Sequence, residues 1–265
     1  MARAPENTRA AFLRAFEDGA DGVECDVRLT KDGVPVIIHD PDTARLANKT
    51  KVVSQSTFAE LQELEFGSYH GEVQRILSLG DLLELVGPDR CAYVELKAST
   101  PGRLGRAREQ VKTKLFARRQ GLGLVSSSSL PPITRGDRRL VRAVVAELRR
   151  RPNAQVVLHS FDPGTVRAAH RRLPSVPTGL LFEASSTQGA ETVEPRHALR
   201  VAMKIGAGSL HPEHSLVGGS STSELFGGAP VVVWTAKAAD VGRLVKAGVH
   251  GIITNDPAET LAALK

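Results

Sequence analysis

Cysteine and aromatic side chains are scarce in this chain: 265 residues carry two cysteines, one tryptophan, two tyrosines and eight phenylalanines. Two thiols without metal-ligand spacing, Cys25 and Cys91, exclude a disulfide-stapled scaffold and a cysteine-built metal site. They fit small apolar residues in a reducing compartment. The shortage of aromatics removes the interleaved basic and aromatic pattern of many nucleic-acid-binding surfaces. No run of about 18 apolar residues occurs, so no transmembrane helix is expected. The N-terminus lacks the basic-then-apolar order of an export signal, and the expected location is cytoplasmic.

What is present is a large apolar inventory, 41% of residues, enough to bury a sizeable core. The length fits one α/β barrel or two ordinary domains. The net charge of +6 is unevenly placed, with residues 101–151 holding 14 Lys/Arg against 3 Asp/Glu. Without aromatics or a recognised nucleic-acid motif, this basic segment reads as a solvated face, and no nucleic-acid partner is expected.

Apolar patterning predicts an alternation of helices and strands. A stripe of Ala11, Phe12, Ala15 and Phe16 marks an opening helix ended by Gly19. Further helices are expected at Thr57–Leu64, Leu79–Val86, Arg138–Arg150, Pro163–Arg172, near 194–203, at Ala238–Ala247 and after Asp256-Pro257. Strands are expected at Cys91–Lys97, Gln155–Phe161, Thr178–Glu183, Ile205–His211, Val231–Thr235 and Gly251–Thr254. Short buried strands alternating with helices indicate βα units and a parallel sheet. Glu24, Asp26, Glu95, Lys97, Phe161, His211 and Trp234 all fall late in or just after their apolar runs, where parallel barrels build active sites.

Residues 22–40, GVECDVRLTKDGVPVIIHD, form the densest concentration of chemistry. Asp32-Gly33 is a two-residue turn signal, which would pair Lys31 with Val34 and His39 with Asp26. Glu24 shares Asp26's face through the period of two. Two carboxylates and an imidazole then converge, a set suited to a divalent metal with hard oxygen ligands and a histidine for proton transfer.

The motifs APENTRAAF, GADGVECDVRLTKDGVPVIIHD, YVELK, SFD, LHP, VVVWT and GVHGIITNDP run in order over residues 4–97 and 156–260. Together they resemble the glycerophosphodiester phosphodiesterase family of TIM-barrel enzymes. The resemblance implies one barrel domain over residues 1–265, with a small insertion near 41–75 and a basic one near 98–154. It implies one Mg²⁺ or Ca²⁺ held by Glu24, Asp26 and Glu95, His39 as a general acid/base, and Lys97 as a catalytic contact to phosphate. Trp234 would line the substrate pocket. His211, at a strand end, is a further candidate for substrate contact, and Arg45 a weaker one for phosphate. His159 reads as a buried, hydrogen-bonded histidine.

The implied reaction is metal-dependent hydrolysis of a small glycerophosphodiester to sn-glycerol 3-phosphate and an alcohol. Family members place a strand ending His-Arg-Gly just before APENT. No counterpart precedes Pro5, so the expectation is a barrel whose first strand is missing from this chain and whose catalysis is impaired. Two other readings use the same residues: a phosphodiesterase of lysophospholipids or sphingolipids, and a non-catalytic binder of phosphate-bearing ligands.

Overall fold

The computed structural model describes residues 4–98, 135–183 and 194–265. Most of the basic segment, 99–134, and Arg3 lie outside the described residues. The main sheet holds β1 (Gly22–Leu29), β2 (Pro35–Ile37), β5 (Cys91–Leu96), β6 (Gln155–Ser160), β7 (Thr178–Phe182) and β8 (Ser209–Pro212), in the order β2-β1-β5-β6-β7-β8. Between β2 and β5 come α2 (Phe58–Gln62) and a small hairpin of β3 (Ser68–Tyr69) with β4 (Glu72–Val73), and α7 (Thr222–Phe226) follows β8. Parallel bridges Leu210–Val231 and Glu213–Trp234 carry the main sheet on to β9 (Val232–Val233), which pairs in parallel with β10 (Gly251–Ile252). Apart from β2, which returns antiparallel against β1, these barrel strands run parallel. Among the described residues no pairing joins β10 to β1. The architecture is α/β, of the TIM-barrel type.

The alternation of each strand divides the molecule into two layers. Outward residues Cys25, Val27, Val94, Leu96, Val156 and Leu158 are buried against α1 (Arg9–Glu17), α3 (Leu79–Val86) and α4 (Arg138–Arg150) in one cluster. Leu180, Phe182, Leu210, Val231 and Val233 do the same against α5 (Pro163–Arg172) and α6 (Pro195–Ile205). Helix α4 illustrates why the sequence folds this way. Its Leu140, Val141, Val144, Val145 and Leu148 form one buried stripe while its arginines face outward or sit at its ends. The end of the basic segment is therefore a helix packed on the sheet. The hydrophobic core lies between strands and helices, and the inner face of the strands carries the polar side chains of the pocket beside Leu181 and Val232.

Several boundaries differ from the sequence pattern for local reasons. The strand expected from Ile205 begins at Ser209, because Ile205 is the last residue of α6 and Gly206 caps that helix at φ 79°. The first helix starts after Thr8, whose side chain accepts from the Ala11 N–H, and closes at Glu17, two residues ahead of Gly19. The helix expected over 238–247 splits into a 3₁₀ turn, Ala238–Asp240, and α8 (Val241–Ala247). Among the described residues no helix is long and apolar enough to cross a membrane.

Leu158 is buried to 1% exposure within the first cluster. Leu158→Ala is expected to cost about 2–5 kcal/mol of stability, measured by urea unfolding, through lost transfer energy and the cavity left behind.

Candidate active site

Alternation along β1 turns Glu24 and Asp26 inward, with Cys25 buried in the outer core between them. Parallel register then sets Asp26 beside Glu95 and Glu95 beside His159. One oxygen from each of Glu24, Asp26 and Glu95 lies within 4.8 Å of the other two. The Lys97 ammonium donates to Glu95 Oε2 at 2.8 Å and stands 3.0 Å from Asp26 Oδ1. Asn7 Nδ2 donates to the other Asp26 oxygen at 3.0 Å.

Burial and then the neighbouring Asp26 push the Glu24 carboxyl up to about 8. Burial also raises Glu95, to about 7, against the opposing pull of Lys97. For Lys97, burial alone would lower the ammonium, but Asp26 and Glu95 outweigh it and hold it above its ordinary value. One ammonium is too little positive charge for three crowded carboxylates. Their surplus charge and hard oxygen donors fit a divalent cation.

His39 reaches the same pocket by a route that differs from the expected pairing. The hairpin register is Val27–Ile37, Arg28–Val36 and Leu29–Pro35, and the Ile38 N–H donates to the Asp26 carbonyl at 2.8 Å. Asp26 is thus opposite Ile38 and not His39. The loop has three residues, Lys31-Asp32-Gly33, closed by Thr30 and Val34 and turned by Gly33 at φ 87°. His39 lies just beyond the end of β2. Its Nδ1 is 2.8 Å from Asp40 Oδ1, while Arg45 Nε donates to Asp40 Oδ2 at 2.7 Å and its remaining nitrogens grip Glu6. The Arg45 bond and then His39 hold the Asp40 carboxyl below its ordinary value.

Glu24, Asp26, His39, Glu95, Lys97, Phe161 and Trp234 all line one open pocket of about 1080 Å³. Phe161 and Trp234 meet edge to face at 5.3 Å between centroids, and the Lys97 nitrogen is 6.0 Å from the Phe161 ring centre. The family model described as the glycerophosphoryl diester phosphodiesterase family matches residues 1–259. The chain belongs to this family.

Among its relatives, the glycerophosphodiester phosphodiesterase of Caldanaerobacter subterraneus subsp. tengcongensis is 33% identical, over 98% of this chain and 92% of that protein. The fold is similar to that of an Oleispira antarctica phosphodiesterase, solved in complex with its product sn-glycerol 3-phosphate. That match has a TM-score of 0.74 and 20% identity, covering 99% of this chain and 92% of that one. It is also similar to the glycerophosphodiester phosphodiesterase of Thermotoga maritima, with a TM-score of 0.66 and 24% identity over 100% of this chain and 94% of that one. As a member of this phosphodiesterase family, the chain is a phosphoric diester hydrolase.

Two sequence candidates take other places within this family site. His211 is fully buried on the inner face of the barrel, bonded to His159 and Ser209, and does not line the pocket. Arg45 is already paired with two carboxylates and is not a free phosphate ligand. Asn7 went unmarked, and His159 reads from the sequence as a buried structural residue alone. Asn7, at φ 56°, adopts a left-handed conformation that asparagine tolerates better than most, and so aims its amide at Asp26. His159 points its Nε2 at Glu24 from 3.5 Å. An asparagine ahead of a helix and a histidine late in a strand were the available signals.

The raised carboxyls dictate a pH dependence. Glu24 and Glu95 bind protons more tightly folded than unfolded, so cation-free protein loses stability as pH rises from about 5 through 7 and 8. Cation binding needs those protons gone and strengthens over the same range. The rise in melting temperature on adding Ca²⁺ or Mg²⁺ is expected to be larger near pH 8.5 than near pH 6, read by thermal-shift titration.

Proposed function

We propose that this phosphodiesterase hydrolyses small glycerophosphodiesters to sn-glycerol 3-phosphate and an alcohol, using one Mg²⁺ or Ca²⁺ held by Glu24, Asp26 and Glu95. The observation that carries the reading is the convergence of three carboxylates with Lys97 and His39 on one pocket. Bound there, the cation would supply Lewis-acid neutralisation of charge developing on the phosphoryl oxygens.

The remaining roles fall to this chain's own side chains. Asp40 accepts from His39 Nδ1, which leaves Nε2 free of its proton and able to act as a base. In this proposal, Nε2 takes the proton from a glycerol hydroxyl as that oxygen attacks phosphorus. The P–O bond to the alcohol breaks, that oxygen leaves with a proton from water, and the resulting cyclic phosphate is opened by a second water whose proton goes to the departing ring oxygen. Lys97 contacts the phosphate as a compact cation, a role that its position between Glu95 and the Phe161 ring supports. Trp234 and Phe161 would wall the glycerol. The Trp234 indole N–H donates to the His211 carbonyl at 2.9 Å, which holds the ring in a single orientation.

The test is sn-glycerol 3-phosphate release from glycerophosphocholine. Activity is expected with Mg²⁺ or Ca²⁺ and absent with EDTA, Glu24→Gln or Glu95→Gln. His39→Ala is expected to lower kcat by about 10²–10⁴. Turnover that survives EDTA and both glutamine variants would overturn the cation assignment. A preference for lysophosphatidylcholine over glycerophosphocholine would overturn the substrate class.

A further inference from the structure

Beside the carboxylate cluster, a chain of polar groups on the inner face of the barrel is left unused by the proposed reaction. His159 and His211 are both buried, at 1% and 0% exposure, and their Nδ1 atoms are 2.8 Å apart. His211 Nε2 is 2.8 Å from Ser209 Oγ. At the opposite end His159 Nε2 has no hydrogen-bond partner and lies 3.5 Å from Glu24 Oε1. The path is Ser209, His211, His159, Glu24.

The surroundings are shaped for these two rings. On β7, a Cβ at Gly179 would come within 2.5 Å of the His211 ring, so only glycine leaves the imidazole its space. Tyr93 packs against both, its ring centre 6.0 Å from His159 and 5.7 Å from His211. Two buried imidazoles without a carboxylate between them are held neutral, as desolvation disfavours the charged form.

A neutral imidazole has one N–H and one lone pair, so a bond between two Nδ1 atoms admits only two proton patterns. In one, His211 Nε2 donates to Ser209 and His159 turns a bare lone pair toward Glu24. In the other, Ser209 donates to His211, His211 Nδ1–H donates to His159, and His159 Nε2–H donates to Glu24. Only the second offers a carboxylate a donor. Resting on the cation-binding reading of Glu24, Asp26 and Glu95, we propose that His159 is a positioning residue. It donates Nε2–H to Glu24 and holds that carboxylate in its ligating orientation, while His211 and Ser209 complete the hydrogen-bonded chain behind it.

The test is calorimetric titration of Ca²⁺ into wild type, His159→Leu and His159→Gln, each shown to be folded by circular dichroism. The leucine variant is expected to bind about 10–100-fold more weakly, and the glutamine variant, which keeps an N–H donor, to recover most of that loss. In ¹⁵N spectra of the Ca²⁺-loaded wild type, the His159 proton is expected on Nε2. A folded leucine variant with wild-type affinity, or a proton on Nδ1, overturns the positioning role alone. If the leucine variant does not fold, the ¹⁵N spectrum decides. If the wild type binds no divalent cation, the cation reading and this inference fall together.

Discussion

Three carboxylates within 4.8 Å of one another, inside a wall of parallel strands, are the feature to which the other side chains answer. Such a cluster is costly unless something supplies positive charge or hydrogen-bond donors. The chain supplies Lys97 two residues beyond Glu95, on the same strand face, and Asn7 from the loop ahead of the first helix. These compensate only in part, so burial and then the neighbouring carboxylates hold Glu24 and Glu95 above the ordinary carboxyl range. An empty cluster is strained toward protonation. Phosphodiester chemistry draws on the same surplus charge, since it is what a hard cation would answer.

A polar interior also changes where the barrel keeps its stability. Glu24, Asp26, Glu95, His159 and His211 occupy inward positions that branched apolar side chains commonly fill in barrels of this type. The stabilising apolar contacts are displaced outward, to the layer between strands and helices. Neighbours along one strand therefore serve separate ends: Cys25 packs the core, while the acids on either side of it form the cluster.

Much of this was legible in the sequence, because periodicity reports it directly. Alternation placed Glu24 with Asp26 and Glu95 with Lys97, and the pattern over Arg138–Arg150 announced a helix, though not that it docks on the sheet. The family motifs supplied the barrel. What stayed hidden depended on backbone detail or on distant chain segments. Asp32-Gly33 signals a two-residue turn, yet Thr30 closes a three-residue loop and shifts the register by one, moving Ile38 opposite Asp26. Arg45 could be counted as a phosphate ligand only while its pairing with Glu6, 39 residues away, was unseen. The His159–His211 contact spans 52 residues and needs the space at Gly179, which no local pattern records.

The chain of contacts from His39 through Asp40 and Arg45 to Glu6 is of a different physical kind from the cluster it flanks. Its side chains are solvent-exposed or only partly covered, and the links that tie the hairpin exit to the N-terminal loop, Arg45 to Asp40 and Arg45 to Glu6, are ion pairs. Exposed pairs of this kind are weak and screened by salt, whereas buried charges are screened far less. Ionic strength therefore acts selectively here. Concentrated salt would loosen the histidine's mooring while the carboxylates inside the barrel kept their arrangement.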